Sequence, residues 1–201
     1  MMSKTHLAVG IAAALAVSPV RTAGGAFAAV IGGALGGVLC DVECKTPPDA
    51  RDIFAGQMGA GCLTVTLLCA DAIMHAGLWM SIRSQNLYTL MLGALTVILL
   101  TSLGHLTAHR TFTHSLLYVG LLAFGLSRIS PMLLVPALAG GVSHLALDTL
   151  NKKSVPWLYP IDRNGFCLKL CHADRTANAA FFWLGLGAGV ALLAVKANAF
   201  I

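Results

Sequence analysis

The stretch HRTFTHS, residues 109–115, sets two histidines, an arginine, two threonines and a serine in seven consecutive positions, after some twenty residues without a charge. His144 and Asp148 stand four apart, so a helix would carry them on one face, one turn apart; His105 and His109 repeat the spacing. Asp41-Val42-Glu43 offers two carboxylates from alternate residues of an extended loop end, and His6 adds an imidazole near the start. Neutral imidazole with carboxylate suits Zn²⁺, Mn²⁺ or Fe²⁺; carboxylate alone suits Mg²⁺ or Ca²⁺. Such an ion with an open position generates hydroxide near neutral pH and polarises an ester or phosphoryl oxygen. Arg110 would then hold an anionic substrate, because its fork matches phosphate.

Each group also has a plainer reading. HRTFTHS could be an interfacial loop whose polar groups cap helix ends. His144 and Asp148 could be a hydrogen-bonded pair that supports a ligand. Asp41 and Glu43, near Lys45, Asp49 and Arg51, could lie in a solvated loop. His6 could be an ordinary terminal residue, and His105 is read as packing or support, not as a ligand. Asp71 and His75 share the four-residue spacing but fall on the opposite side, as an interfacial pair. The six cysteines form no strong metal signature. Cys167-x-x-x-Cys171-His172 is half a zinc site without a second cysteine pair. Cys62 and Cys69 read as small apolar packers, and Cys40 and Cys44 bracket the two acids.

What must position these groups is a set of membrane helices. The chain is 57% hydrophobic and 10% charged, with mean hydropathy +0.81; a soluble domain carries about 25% charged residues. Five segments, Ala23–Cys40, Ile53–Ala70, Leu87–Leu106, Ile129–Leu147 and Ala177–Val195, match the about 20 apolar residues of a spanning helix. Thr111–Ser127 is marginal and Leu7–Val20 short. The expectation is an all-α polytopic transmembrane bundle of six or seven helices, residues 1–201 forming one integral membrane domain with a loop at about 148–176. A signal peptide over residues 1–20 is the weaker alternative, since the next apolar segment follows within a few residues. The net charge of +5 is spread along the chain, which argues against a nucleic-acid partner.

Each span switches sides, and counting them puts His6, Asp41, Glu43, His109, His114, His144 and Asp148 at one surface. Nine of the 13 Lys/Arg residues, among them Lys4, Lys45, Lys152 and Lys153, fall on that side, and Arg21, Arg83, Arg128 and Lys196 opposite. The excess of positive charge predicts that the motif side faces the cytoplasm.

THLAVG at 5–10, the aspartate closing the Gly-rich second segment, HRTFTHSLL at 109–117, and SHLALD followed by PWLYP at 143–148 and 156–160 resemble the YdjM-like family. Its members are described as predicted metal-dependent hydrolases of the bacterial inner membrane, one branch of them LexA-regulated. The resemblance runs in order over residues 1 to about 160. It implies a multi-helix membrane protein whose motif histidines are His6, His109, His114 and His144 and whose motif acids are Asp41 and Asp148. This chain departs from the pattern in reading Cys-Asp-Val-Glu at 40–43, where the family has Pro-Asp-x-Asp, and in lacking a glycine around Lys152–Ser154.

Together these readings predict a hydrolase of an ester, a phosphoester of a membrane lipid or lipid-linked substrate. Asp41, His109, His114, His144 and Asp148 are its ligands to a divalent ion, Zn or Mn, with His6 as a further one. Glu43 is the candidate general base and Arg110 the anion clamp. The rival readings are a metal-ion or proton carrier, which would need polar groups through mid-span, and a b-type haem protein.

Overall fold

A computed structural model of the chain describes residues 2–43, 49–108, 110–170 and 175–198. Among them run eight helices: α1 Ser3–Val17, α2 Ala23–Val38, α3 Asp49–Met74, α4 Leu78–Arg83, α5 Leu87–Leu106, α6 Leu116–Ile129, α7 Leu134–Thr149 and α8 Arg175–Ala197. Three-residue 3₁₀ turns precede α6 and α7 and follow α2. Five stretches are long and apolar enough to cross a membrane, and α1 and α6 are shorter apolar helices. The six or seven expected helices are therefore present, with the six-residue α4 in addition. No strand occurs among the described residues, only an isolated bridge between Val155 and Phe166.

Two helices form the centre. α2 packs against α1 and α7, and α1 also touches α7 and α8. The spans built on α2 and α7 are more than half buried, whereas those of α3, α5 and α8 are less than one-fifth buried and present apolar side chains outward. Glycine permits the close central packing. A Cβ on Gly33 would stand 2.6 Å from the Gly10 carbonyl oxygen, and one on Gly37 would stand 2.6 Å from that of His6. Backbones this close leave no room for an alanine. They also bring the start of α1 level with the end of α2.

Local chemistry explains where the helices begin and end. α1 starts at Ser3 and stops before Ser18-Pro19, since the residue before proline disfavours the helical region. Its first turn is held by Asp52 Oδ2, which accepts from the Ser3 N–H at 2.5 Å, and by Asn178 Oδ1, which accepts from the Met2 N–H at 2.9 Å. Asp71 does not pair with His75, which is exposed. Its buried carboxylate instead accepts from the Leu78 and Trp79 N–H groups at 3.0 and 2.6 Å and so starts α4. Cys62 and Cys69 are exposed on the outer side of α3 and are not packed inside.

Candidate metal centre

The end of α2 supplies the first acid. After Val38 the chain tightens into the 3₁₀ turn Leu39–Asp41, and Val42 keeps helical angles, so Asp41 and Glu43 do not lie on the extended loop end expected from their spacing. Both are buried, which removes the solvated-loop reading. Tyr118, itself fully buried on α6, donates its hydroxyl to the Leu39 carbonyl at 2.8 Å and anchors this turn.

HRTFTHS does not continue either neighbouring helix. α5 stops at Leu106 with Thr107 extended, so the helical spacing of His105 and His109 does not persist, and His105 is exposed. His109 lies outside the described residues. Arg110 takes a left-handed backbone, φ 60°, and Phe112–His114 form a 3₁₀ turn. Ser115, not Thr111 or Thr113, caps α6 by accepting from the Tyr118 N–H. This path turns the His114 ring inward, where it is wholly buried.

Four donor residues meet there. One ligand atom from each of Asp41, His114, His144 and Asp148 can be chosen so that all lie within 4.8 Å of one another, and all four residues are buried. His114 Nε2 lies 3.3 Å from His144 Nε2, 3.3 Å from Asp148 Oδ2 and 3.4 Å from Asp41 Oδ1. His144 Nε2 lies 3.6 Å from Asp41 Oδ1. Donors held about 2.0–2.1 Å from a shared ion stand roughly 3.0 Å apart in octahedral and 3.3 Å apart in tetrahedral geometry. The four groups therefore fit a first-row divalent ion.

The outer hydrogen bonds fit it as well. His144 Nδ1 lies 2.8 Å from the Gly37 carbonyl, which can only accept, so Nδ1 carries the hydrogen and Nε2 keeps its lone pair. His114 Nδ1 lies 3.0 Å from Glu43 Oε1 and has the same polarity. Glu43 also accepts from the Arg110 backbone N–H and the Thr113 hydroxyl. Three carboxylates, those of Asp148, Asp41 and Glu43, lie 3.0–3.4 Å from the buried His114 ring nitrogens, so the cluster draws positive charge.

His6 stacks on His144 with ring centroids 3.9 Å apart, and its Nε2 lies 3.4 Å from Asp148 Oδ1. It is buried. It is therefore no ordinary terminal residue. Arg110 sits at the rim, its side chain 10% exposed. Nη2 lies 2.8 Å from Asp148 Oδ2, and Nη1 donates to the Lys153 carbonyl at 2.8 Å. Thus His6, Asp41, Glu43, Arg110, His114, His144 and Asp148 converge. Sequence reasoning missed Tyr118 and the Gly37 and Lys153 carbonyls; backbone acceptors carry no sequence signal. The Cys167-x-x-x-Cys171-His172 stretch, read as no strong metal signature, falls partly outside the described residues, since Cys171 and His172 lie beyond them.

No curated protein and no solved structure matches the chain. The family model described as YdjM inner membrane protein matches residues 1–200. The chain, an apolar helical bundle with a buried Asp/His cluster that could hold a metal ion, belongs to that family of inner membrane proteins.

Proposed function

We propose that the protein is a membrane-bound metal-dependent hydrolase acting from a cytoplasm-facing site on an ester, namely a phosphoester of a lipid or lipid-linked substrate. The observation that carries this reading is the convergence of Asp41, His114, His144 and Asp148, with the Nε2 atoms of both histidines 3.3 Å apart. Two imidazoles with two carboxylates suit Zn²⁺ or Mn²⁺. Such an ion would supply Lewis acidity and activate water for attack on the ester.

The chain's own residues do the rest. Gly37 and Glu43 fix the two imidazoles. Glu43 takes this holding role and not that of general base, because both its oxygens already accept hydrogen bonds behind His114. Arg110 brings a permanent positive charge to the rim, beside Asp148, where an anionic group would enter. His6 is a further ligand candidate through its buried ring, whose Nε2 lies 3.4 Å from Asp148 Oδ1, and His109 is one from sequence. The lipid substrate follows from location: the cluster joins the start of α1 and the ends of α2 and α7, where amphipathic molecules arrive sideways. That one-ended placement supports catalysis at a surface over a carrier path. Donors 3.3 Å apart favour a bare ion over a haem plane.

The test is a panel of phospholipid and lipid-linked phosphoester substrates with the purified, metal-loaded protein. Turnover of an anionic ester is expected, falling about 10-fold or more in Arg110→Lys with metal content unchanged. Full activity in Arg110→Lys would leave Arg110 as a charge anchor and remove the main support for a phosphoester.

A further inference from the structure

Residues 150–170, which follow α7, are firmly held yet leave several apolar side chains uncovered. Val155 and Phe166 exchange two backbone hydrogen bonds of 3.0 Å, and the Leu168 and Leu170 N–H groups donate to the Thr149 and Leu150 carbonyls at 2.8 and 3.0 Å. The Trp157 indole N–H donates to Thr149 Oγ1 at 2.8 Å, and the Trp157 carbonyl accepts from the Leu116 N–H at 2.9 Å. The segment is thus pinned to the last turn of a spanning helix, and it cannot stand far from the bilayer boundary.

Five of its apolar side chains nevertheless point away from the protein: Leu158 is 57%, Ile161 93%, Phe166 59%, Leu168 46% and Leu170 70% exposed. Four exposed cations, Lys152, Lys153, Arg163 and Lys169, flank them, against a single acid, Asp162. That acid is already turned inward on its own loop, accepting from the Asn164 N–H at 2.8 Å. Water would penalise this surface, and a neutral hydrocarbon interior would penalise its cations. A headgroup layer bearing negative charge satisfies both.

We infer that residues 152–170 form a docking surface for the anionic headgroup layer of the bilayer that the protein itself spans, with Ile161 and its apolar neighbours inserted beneath the lysines. The inference uses no ligand of the metal cluster and stands or falls apart from the hydrolase reading. It does place Lys153, whose carbonyl holds Arg110, at the lipid surface.

The experiment uses the full chain in nanodiscs of phosphatidylcholine with phosphatidylglycerol, with and without brominated acyl chains. Ile161→Trp and the matched control Asn164→Trp each add one indole to the three native ones, and subtracting the parent emission isolates it. Brominated lipid should quench the indole at 161 at least about two-fold more than that at 164, with aqueous iodide showing the reverse order. Omitting phosphatidylglycerol, or changing Lys152, Lys153, Arg163 and Lys169 together to Gln, should weaken the bromine effect at 161. Equal iodide quenching at both positions would put the segment in water and overturn the proposal. Shielding at 161 from both quenchers would mean that another protein surface covers it, which overturns it too. Bromine quenching indifferent to both charge changes would refute the anionic partner.

Discussion

Glu43→Gln separates two roles that one carboxylate could play. In the structure Glu43 lies behind His114, its Oε1 3.0 Å from Nδ1, on the ring edge away from the cluster. It also receives the Arg110 N–H and the Thr113 hydroxyl. Glutamine keeps the shape and one acceptor oxygen, and the Thr113 hydroxyl can rotate to accept from the new amide. What is lost is the negative charge that strengthens His114 as a ligand. Removing such an outer partner weakens metal binding about 10–100-fold. Since Gln retains the hydrogen bond, the expected loss is at the low end, about 10-fold or about 1.4 kcal/mol. Glu43→Ala leaves three donors, on His114, Arg110 and Thr113, without their acceptor and should approach 100-fold, about 2.7 kcal/mol, with a lowered melting temperature. The assay is competition for Zn²⁺ against a chromophoric chelator in detergent, with the melting curve of each variant as the control for folding. If Glu43→Gln bound metal like the parent while turnover vanished, Glu43 would be a base acting on substrate, and the holding role assigned here would be wrong.

Two further outcomes follow from packing and charge. Gly37→Ala should cost about 1–3 kcal/mol of stability and lower metal content, because the new Cβ would lie 2.6 Å from the His6 carbonyl and displace the helix that carries His6; unchanged melting and metal content would show that α1 moves aside freely. A reporter fused after Lys153 should read cytoplasm and one near Arg83 the opposite side; the reverse would move the site to the other face of the membrane without altering its geometry.

Much of this arrangement was legible in the residues because membranes make polar groups expensive. His144 and Asp148 stood out as polar residues one turn apart in an apolar run, and both face the cluster. Asp41 and His114 were visible for the same reason. The path between them was not. Sequence spacing put His105 and His109 on one helix, but α5 ends at Leu106, and Arg110 enters a left-handed turn that periodicity cannot reveal. Asp41 and Glu43 read as alternate residues of an extended loop end, whereas the chain there turns through a 3₁₀ turn held by Tyr118 and both are buried. Glu43 was recognisable as chemistry, but its task depends on which side of the His114 ring it occupies, and only tertiary structure decides that. Asp71 looked like half of a pair and proved to be a cap, because the N–H groups it serves lie seven and eight residues downstream.

The measurement that bears most directly on the central claim is elemental analysis of the purified full-length protein beside His144→Ala and Asp148→Ala. The parent should carry about one to two equivalents of Zn or Mn, the range of mono- and dinuclear hydrolase sites, and each variant should lose most of it while remaining folded. A parent that neither retains nor takes up such an ion, or variants that keep all of it, would contradict the assignment of the buried Asp41/His114/His144/Asp148 cluster as a metal centre.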